Sequence, residues 1–155
     1  MAQNKGKKWE EKFKESWIEC FPDTFIYRIP DQQSRHKGAS KNPCDFLAFP
    51  NKDLYMIELK SHKGNTFPFD CFKQYELLLE YKDIQNVKCC LIVWFIEHNK
   101  VIYVPIEEVE KMKSDDKKSI NIKMLDTKEY NIIEIPSIIK RTYPRCDFTI
   151  LENNE

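Results

Sequence analysis

Aromatic side chains recur at every fourth position near the start of the chain. The residues with this spacing are Trp9, Phe13, Trp17 and Phe21. Such a period is typical of an amphipathic helix that buries one face, so we predict a first helix from Lys7 onward. Glu10 precedes Phe13 by three positions and therefore borders the apolar stripe of this helix.

Apolar segments that predict β-strands follow this helix. The first is short and ends at Pro30. The next two are separated by Pro-Asn-Lys-Asp, a sequence suited to a hairpin turn. An uninterrupted apolar run later in the chain fits a central strand that is buried on both sides. The predicted strands are 25–29, 46–49, 54–61, 89–96 and 101–106.

Two further helices complete the predicted order. A loop containing Gly64 leads to a helix capped by Asp70, and a short helix runs from Pro105 to about Lys113. Residues 120–125 and 130–135 indicate another hairpin or edge strands. The order α-β-β-β-α-β-β predicts an α/β fold with a mixed sheet flanked by helices. We expect one domain over 1–155, with a core of about 4–113 and C-terminal strands and a tail over 114–155.

Composition indicates a folded protein without an overall charge preference. Of 155 residues, 41% are hydrophobic, and 25 basic residues balance 25 acidic ones. Any binding of nucleic acid must therefore come from local basic patches. Taken singly, each patch is more often an ordinary solvated surface than a binding site. The patches are Lys5, Lys7 and Lys8; Arg35, His36, Lys37 and Lys41; and Lys140, Arg141 and Arg145.

Cysteine and glycine content excludes several classes of site. The six cysteines form no Cys-x-x-Cys pair and no Cys/His spacing typical of zinc sites. Three glycines are too few for a glycine-rich phosphate loop, which argues against a kinase or a nucleotide-driven motor. We find no signal peptide and no membrane-spanning run, so we expect a cytoplasmic protein with reduced thiols, most of them in the core.

The predicted hairpin carries an unusual set of charges. Glu58 and Lys60 lie two residues apart in an otherwise apolar strand, so they share one face of the sheet. Antiparallel pairing across the turn would bring Asp45 close to both. Two carboxylates and an ammonium group could form a metal-dependent phosphodiesterase site, because Mg²⁺ prefers carboxylate oxygens and activates water. The alternative is a cross-strand cluster of salt bridges.

These residues resemble a known family. Asp45, a hairpin and Glu58-Leu59-Lys60, preceded by a helix with an inward-facing Glu, resemble the PD-(D/E)xK nucleases, above all RecU-type and archaeal Holliday-junction resolvases. The segment 4–10, Asn-Lys-Gly-Lys-Lys-Trp-Glu, looks like the N-terminal motif of that family, which ends in a catalytic Glu. Thr66-Phe67-Pro68-Phe69 followed by Gln74 is similar to a second RecU motif. The resemblance covers about residues 4–106.

The resemblance implies a restriction-endonuclease-like mixed β-sheet and a catalytic site on it. Asp45 and Glu58, helped by Glu10, would bind Mg²⁺, for which Mn²⁺ could substitute. Lys60 would hold or polarise the attacking water, and Gln74 could orient the phosphate or the water. A homodimer would cut a four-way DNA junction. The polar stretch from Asp31 to Pro43, a predicted long loop that we call the basic loop, would project into the junction. The expected DNA-binding residues are Lys5, Lys7, Lys8, Arg35, Lys37, Lys41, His62 and Lys63.

Other functions remain open from the residues alone. A restriction-like or repair nuclease of the same fold would cut linear duplex. A non-catalytic DNA-binding module would bind DNA without any need for metal. An interaction protein with a merely solvated charged face would show no salt-sensitive DNA binding.

Overall fold

The structure, a computed structural model, describes residues 5–31 and 41–153. Its helices are α1 Lys5–Cys20, α2 Tyr75–Leu79, α3 Ile106–Ser114 and α4 Met124–Thr127. Its strands are β1 Phe25–Arg28, β2 Phe46–Phe49, β3 Leu54–His62, β4 Thr66–Pro68, β5 Val87–Phe95, β6 Lys100–Pro105, β7 Ser119–Asn121, β8 Ile133–Ile135, β9 Ser137–Lys140 and β10 Tyr143–Cys146. Within the described ranges, no helix combines the length and the apolar character that crossing a membrane requires.

Within these residues the main sheet has six strands in the order β1-β2-β3-β5-β6-β8. Strands β3 and β5 are parallel, and the other neighbours are antiparallel. The predicted hairpin is confirmed, because β2 pairs with β3 so that Phe46 lies opposite Ile57. The predicted central strand is also confirmed: β5 lies between β3 and β6, and its residues from Cys89 to Phe95 are buried. The fold is therefore the expected mixed α/β sheet.

Helix α1 covers one face of the sheet. It begins at Lys5, two residues before the predicted start, and buries Trp9, Phe13 and Trp17. The ring of Phe13 lies 5.0 Å from that of Phe46 in β2. Full burial of each large apolar side chain stabilises the fold by roughly 1.5–3 kcal/mol. This packing fixes the helix that carries Glu10 against the strand that follows Asp45.

Helices α2 and α3 cover the opposite face. Leu78 of α2 and Val109 of α3 pack in a buried cluster with Met56 of β3 and Leu91 of β5. Since Met56 and Glu58 are two residues apart on one strand, Glu58 points to this same face. Four of the six cysteines lie in the core, as expected: Cys44, Cys89, Cys90 and Cys146.

The helix after the hairpin differs from the prediction. The expected loop contains β4, and Asp70 lies in a 3-10 turn over Phe69–Cys71 rather than at a helix N-cap. Helix α2 begins only at Tyr75, with Gln74 as its N-cap residue. Strand β4 pairs with β7, and this tertiary pairing overrides the local capping signal of Asp70.

Of the two alternatives predicted for 120–125 and 130–135, the structure shows short edge strands rather than a hairpin. Strand β7 pairs with β4 and is followed by α4, whereas β8 adds to the edge of the main sheet beside β6. The tail forms the β9–β10 hairpin and a 3-10 segment, Phe148–Asn153. Phe148 is fully buried against Phe13 and Trp17, which anchors this tail to α1.

Candidate active site

Two carboxylates meet at the end of the β2–β3 hairpin, and we call Asp45 and Glu58 the acid pair. The backbone N–H of Asp45 donates to the carbonyl of Ile57 at 2.9 Å, which continues the ladder of β2 and β3. Asp45 Oδ2 accepts a hydrogen bond from the backbone N–H of Leu59 at 2.8 Å. The hairpin register therefore holds the Asp45 side chain beside Glu58.

Glu58 is strongly perturbed by this environment. Its side chain is 1% exposed. Burial, a hydrogen bond with Asp45 and repulsion from the Asp45 charge raise the pKa of Glu58 to about 9, although Lys60 acts in the opposite direction. Two carboxylates this close cannot both ionise without a positive charge between them. The acid pair must hold either a proton or a cation.

Lys60 supplies one positive charge at the site. Its Nζ lies 3.6 Å from Glu58 Oε2, and its side chain is 30% exposed. The ammonium group is therefore near the acid pair yet accessible to solvent. The backbone carbonyl of Lys60 accepts a hydrogen bond from Trp9 Nε1 at 3.2 Å, which ties the end of β3 to α1.

Glu10 is bound by an arginine rather than by the acid pair. Arg28 Nε donates to Glu10 Oε2 at 2.5 Å, and Arg28 Nη2 contacts Asp31 at 3.2 Å. Burial raises the pKa of Glu10, while the hydrogen bond from Arg28 lowers it and the charge of Asp45 raises it. In the described part of the chain, no three Asp, Glu, His or Cys side chains converge as a metal-binding group. The structure thus brings together Asp45, Glu58 and Lys60, with Glu10 as a neighbour.

Gln74 lies at the start of α2, on the side of the sheet to which Glu58 points. Its side-chain Oε1 is buried and has no hydrogen-bond donor. Glu58 Oε1 is buried and unpaired in the same way. Buried polar oxygens are rarely left unpaired, so each is available to a ligand, a water or an ion.

The unpaired oxygen of Glu58 shows that the acid pair fits a divalent cation. A hard cation takes carboxylate oxygens and retains waters, and Glu58 Oε1 is a buried oxygen without a donor. A cation would also offset the repulsion that raises the pKa of Glu58. Asp45 and Glu58 are the residues that could hold it.

Sequence reasoning missed the neighbours that position these groups. Arg28 holds Glu10, and Trp9 holds the carbonyl of Lys60. Arg28 could have been noticed as a charged residue in a short strand, whereas nothing local marks Trp9 as more than a core residue. Cys44 is also adjacent; burial and the charge of Glu58 raise its pKa to about 12, so it remains a neutral thiol.

The predicted DNA-binding residues lie in different settings. Lys7, Lys8, Lys41 and Lys63 are exposed, and Lys8 pairs with Glu11 at 3.5 Å. Lys5 lies over the ring of Trp94, 5.6 Å from its centroid. His62 makes edge contacts with Phe67 and Phe95, which is a packing role in addition to the predicted phosphate contact. Arg35, His36 and Lys37 lie outside the described residues.

The fold and the hairpin with its acid pair and lysine define a metal-dependent nuclease with a restriction-endonuclease-like sheet. Residues 28–143 match the family RecU, Recombination protein U, and the chain belongs to this family. Its membership confirms the class of enzyme expected from the sequence, a Holliday-junction resolvase. Divalent metal use is general in this class.

Solved structures support the same fold. Among them is Hjc of Archaeoglobus fulgidus, described as a Holliday junction resolvase from an archaeal hyperthermophile. The TM-score is 0.54 at 16% identity, and the match covers 75% of this chain and 88% of that chain. Comparison with curated proteins finds no match.

Proposed function

We propose that this protein is a Mg²⁺-dependent endonuclease that resolves four-way DNA junctions, with Mn²⁺ able to replace Mg²⁺. The observation that carries the proposal is the acid pair with Lys60 beside it. A salt-bridge cluster alone would leave Lys60 to balance two carboxylates, of which Glu58 is fully buried. The unpaired Glu58 Oε1 and the raised pKa of Glu58 favour a site that gains a cation.

Asp45 and Glu58 hold the metal in this proposal. When bound, Mg²⁺ lowers the pKa of a water and acts as a Lewis acid on the phosphate. Lys60 holds or polarises the attacking water through its rotatable N–H donors, or binds the cleaved phosphate. Its 30% exposed side chain can reach a substrate from the position it occupies beside Glu58.

Glu10 and Gln74 act around this centre. Glu10 helps to bind the metal, either through a bridging water or after it leaves Arg28, because the contact with Arg28 occupies Glu10 Oε2. Gln74 orients the attacking water through its buried Oε1, which accepts a hydrogen bond from that water, or orients the phosphate through its amide NH2 group, which donates.

The junction substrate requires a second active site. Two symmetric cuts across a four-way junction need two centres related by a two-fold axis, so we propose a homodimer. The setting would be the cytoplasm of a bacterial or phage-infected cell, where the DNA lies.

A cleavage assay tests this function. Purified protein is incubated with a four-way junction and with a linear duplex of the same sequence, with Mg²⁺ or with EDTA. We expect paired nicks in the junction only, and only with metal. Cleavage of the linear duplex at the same rate would indicate a restriction-like or repair nuclease. Binding without cleavage under all conditions would indicate a non-catalytic module. The mass of the free protein in solution should be that of a dimer.

A further inference from the structure

The C-terminal hairpin β9–β10 presents two cations that the predicted DNA surface does not include. Lys140 and Arg141 at its tip are exposed, and no ion pair involves either of them within residues 5–31 and 41–153. Arg141 and Thr142 turn the chain with positive φ angles of 52° and 73°. Lys140 and Arg141 line an open cavity between the hairpin and α1, together with Glu15 and Glu19 of the helix.

The hairpin is fixed on helix α1. The backbone N–H of Cys146 donates to the buried Ser16 hydroxyl at 3.1 Å. Arg145 donates to Glu19 from Nε at 2.8 Å and from Nη2 at 2.6 Å. Arg145 is therefore occupied by Glu19, and Lys140 and Arg141 are the cations that remain for another partner. Their position is held by the body of the fold rather than by a flexible tail.

A chain of ring contacts connects this hairpin to the end of β3. Tyr143 lies 5.5 Å from Trp94, and Trp94 lies 5.4 Å from Trp9, measured between ring centroids. Trp9 donates to the carbonyl of Lys60. Trp94 is also paired in register with Ser61, the residue after Lys60. The hairpin is thus connected, through rings on the α1 side of the sheet, to the backbone at the end of β3 that carries Lys60.

A third cation contacts the same chain of rings. Lys5, the first residue of α1, lies over the ring of Trp94. Among the ion pairs of the described residues, none includes Lys5. Lys5 contacts Trp94 directly, and Lys140 and Arg141 belong to the hairpin whose Tyr143 packs on the same ring; we call these three cations the basic edge. Clustered cations that lack acidic partners attract a polyanion, and each phosphate contact releases counterions.

We propose that the basic edge binds the phosphate backbone of a duplex arm next to the cleaved strand. This inference rests on the proposed function for the position of the DNA, and it adds a contact that the active site alone does not supply. The family match ends at residue 143, so most of strand β10, which closes this hairpin, lies beyond it. Lys140 and Arg141 themselves lie at the end of the matched range, 28–143.

Two double variants with the same charge change test the proposal. Lys140→Gln with Arg141→Gln removes the hairpin cations; glutamine at position 141 tolerates the positive φ no worse than arginine does. Lys117→Gln with Lys123→Gln is the control, because both lysines are exposed and Lys117 borders the acidic Asp115 and Glu129. Thermal unfolding should show that both variants are folded.

Binding is measured by fluorescence anisotropy in Ca²⁺ across a range of salt, on a junction and on a linear duplex. For the hairpin variant we expect the slope of log affinity against log salt to flatten by up to about 1.8 units, about 0.9 for each cation. The loss should be similar on both DNAs, because the contact is to duplex. The control variant should retain the wild-type slope.

An unchanged slope for the hairpin variant, or an equal loss in the control, overturns the proposal. A loss confined to the junction would overturn its assignment to a duplex arm. Cleavage separates this outcome from failure of the proposed function. If the wild type cuts junctions while the slope is unchanged, the hairpin contact is wrong and the function stands. If the wild type cuts no DNA but the slope flattens, the function is wrong and the DNA contact stands.

Discussion

Replacement of Glu58 by glutamine should stabilise the metal-free protein, and increasingly so as the pH rises. Glu58 is 1% exposed, and its pKa is raised to about 9 from an ordinary value of 4.5, first by burial and then by Asp45. The unfolded chain therefore loses this proton near pH 4.5, whereas the folded chain retains it to about pH 9. The contribution of Glu58 to stability is fully present below pH 4.5, and it is lost as the pH rises toward about 9.

The magnitude follows from proton linkage. A single carboxyl that is ionised only in the unfolded state changes the free energy of unfolding by about 1.4 kcal/mol for each pH unit. Between about pH 5.5 and about pH 7.5, Glu58 should remove about 3 kcal/mol from the stability of the wild type. Glutamine resembles the protonated acid and does not titrate. The stability of the variant relative to the wild type should therefore increase by about 3 kcal/mol over this interval.

Urea unfolding in EDTA, followed by tryptophan fluorescence, measures this difference at each pH. The buried Trp9, Trp17 and Trp94 make the signal sensitive to global unfolding. Glu11→Gln, at an exposed position, is the control with the same change in formal charge. A difference between wild type and Glu58→Gln that stays constant with pH would refute the reasoning, as would a similar trend in the control.

Three further predictions concern the metal, the lysine and the basic loop. Mg²⁺ binding near pH 7 should release about one proton, because the raised pKa leaves Glu58 protonated in the metal-free protein. Isothermal titration calorimetry in buffers of different ionisation enthalpy measures this release. A binding heat that does not depend on the buffer would contradict the prediction. Lys60→Ala should slow cleavage at least about 10²-fold under single-turnover conditions while folding persists, and a loss below about threefold would make Lys60 structural. Neutralising the loop cations should flatten the salt slope by up to about 2.7 units and weaken binding more on a junction than on linear duplex; equal losses on both would indicate a general DNA contact. The residues to change in that loop are Arg35, Lys37 and Lys41.

The local patterns predicted the part of the fold that carries the site. A single hairpin contains Asp45, the turn and the apolar strand that carries Glu58. The alternation of side chains along a strand and the turn sequence were therefore sufficient to predict that the acid pair lies on one face. The helix with Glu10 was equally local, because its aromatic stripe is a sequence period.

Long-range contacts explain what the patterns missed. Phe148 lies in the aromatic cluster of α1, more than a hundred residues away in the chain, and no local signal indicates this burial. Strand β7 forms because it pairs with β4, which the sequence predicted as loop. The contact between Arg28 and Glu10 likewise depends on how α1 lies across β1 and β2. Tertiary context overrides local propensity at each of these positions.

The most direct test of the catalytic assignment is single-turnover cleavage of a four-way junction by the wild type and by Asp45→Asn, with binding measured in parallel. Asparagine keeps the shape of Asp45 and can still accept from the Leu59 N–H, but it removes a ligand charge from the acid pair. We predict that the wild type makes paired cuts with Mg²⁺ and that the variant makes none, while junction affinity changes little because most affinity comes from phosphate contacts elsewhere. Cleavage by Asp45→Asn at a rate near that of the wild type would contradict the assignment of the acid pair as the catalytic metal centre.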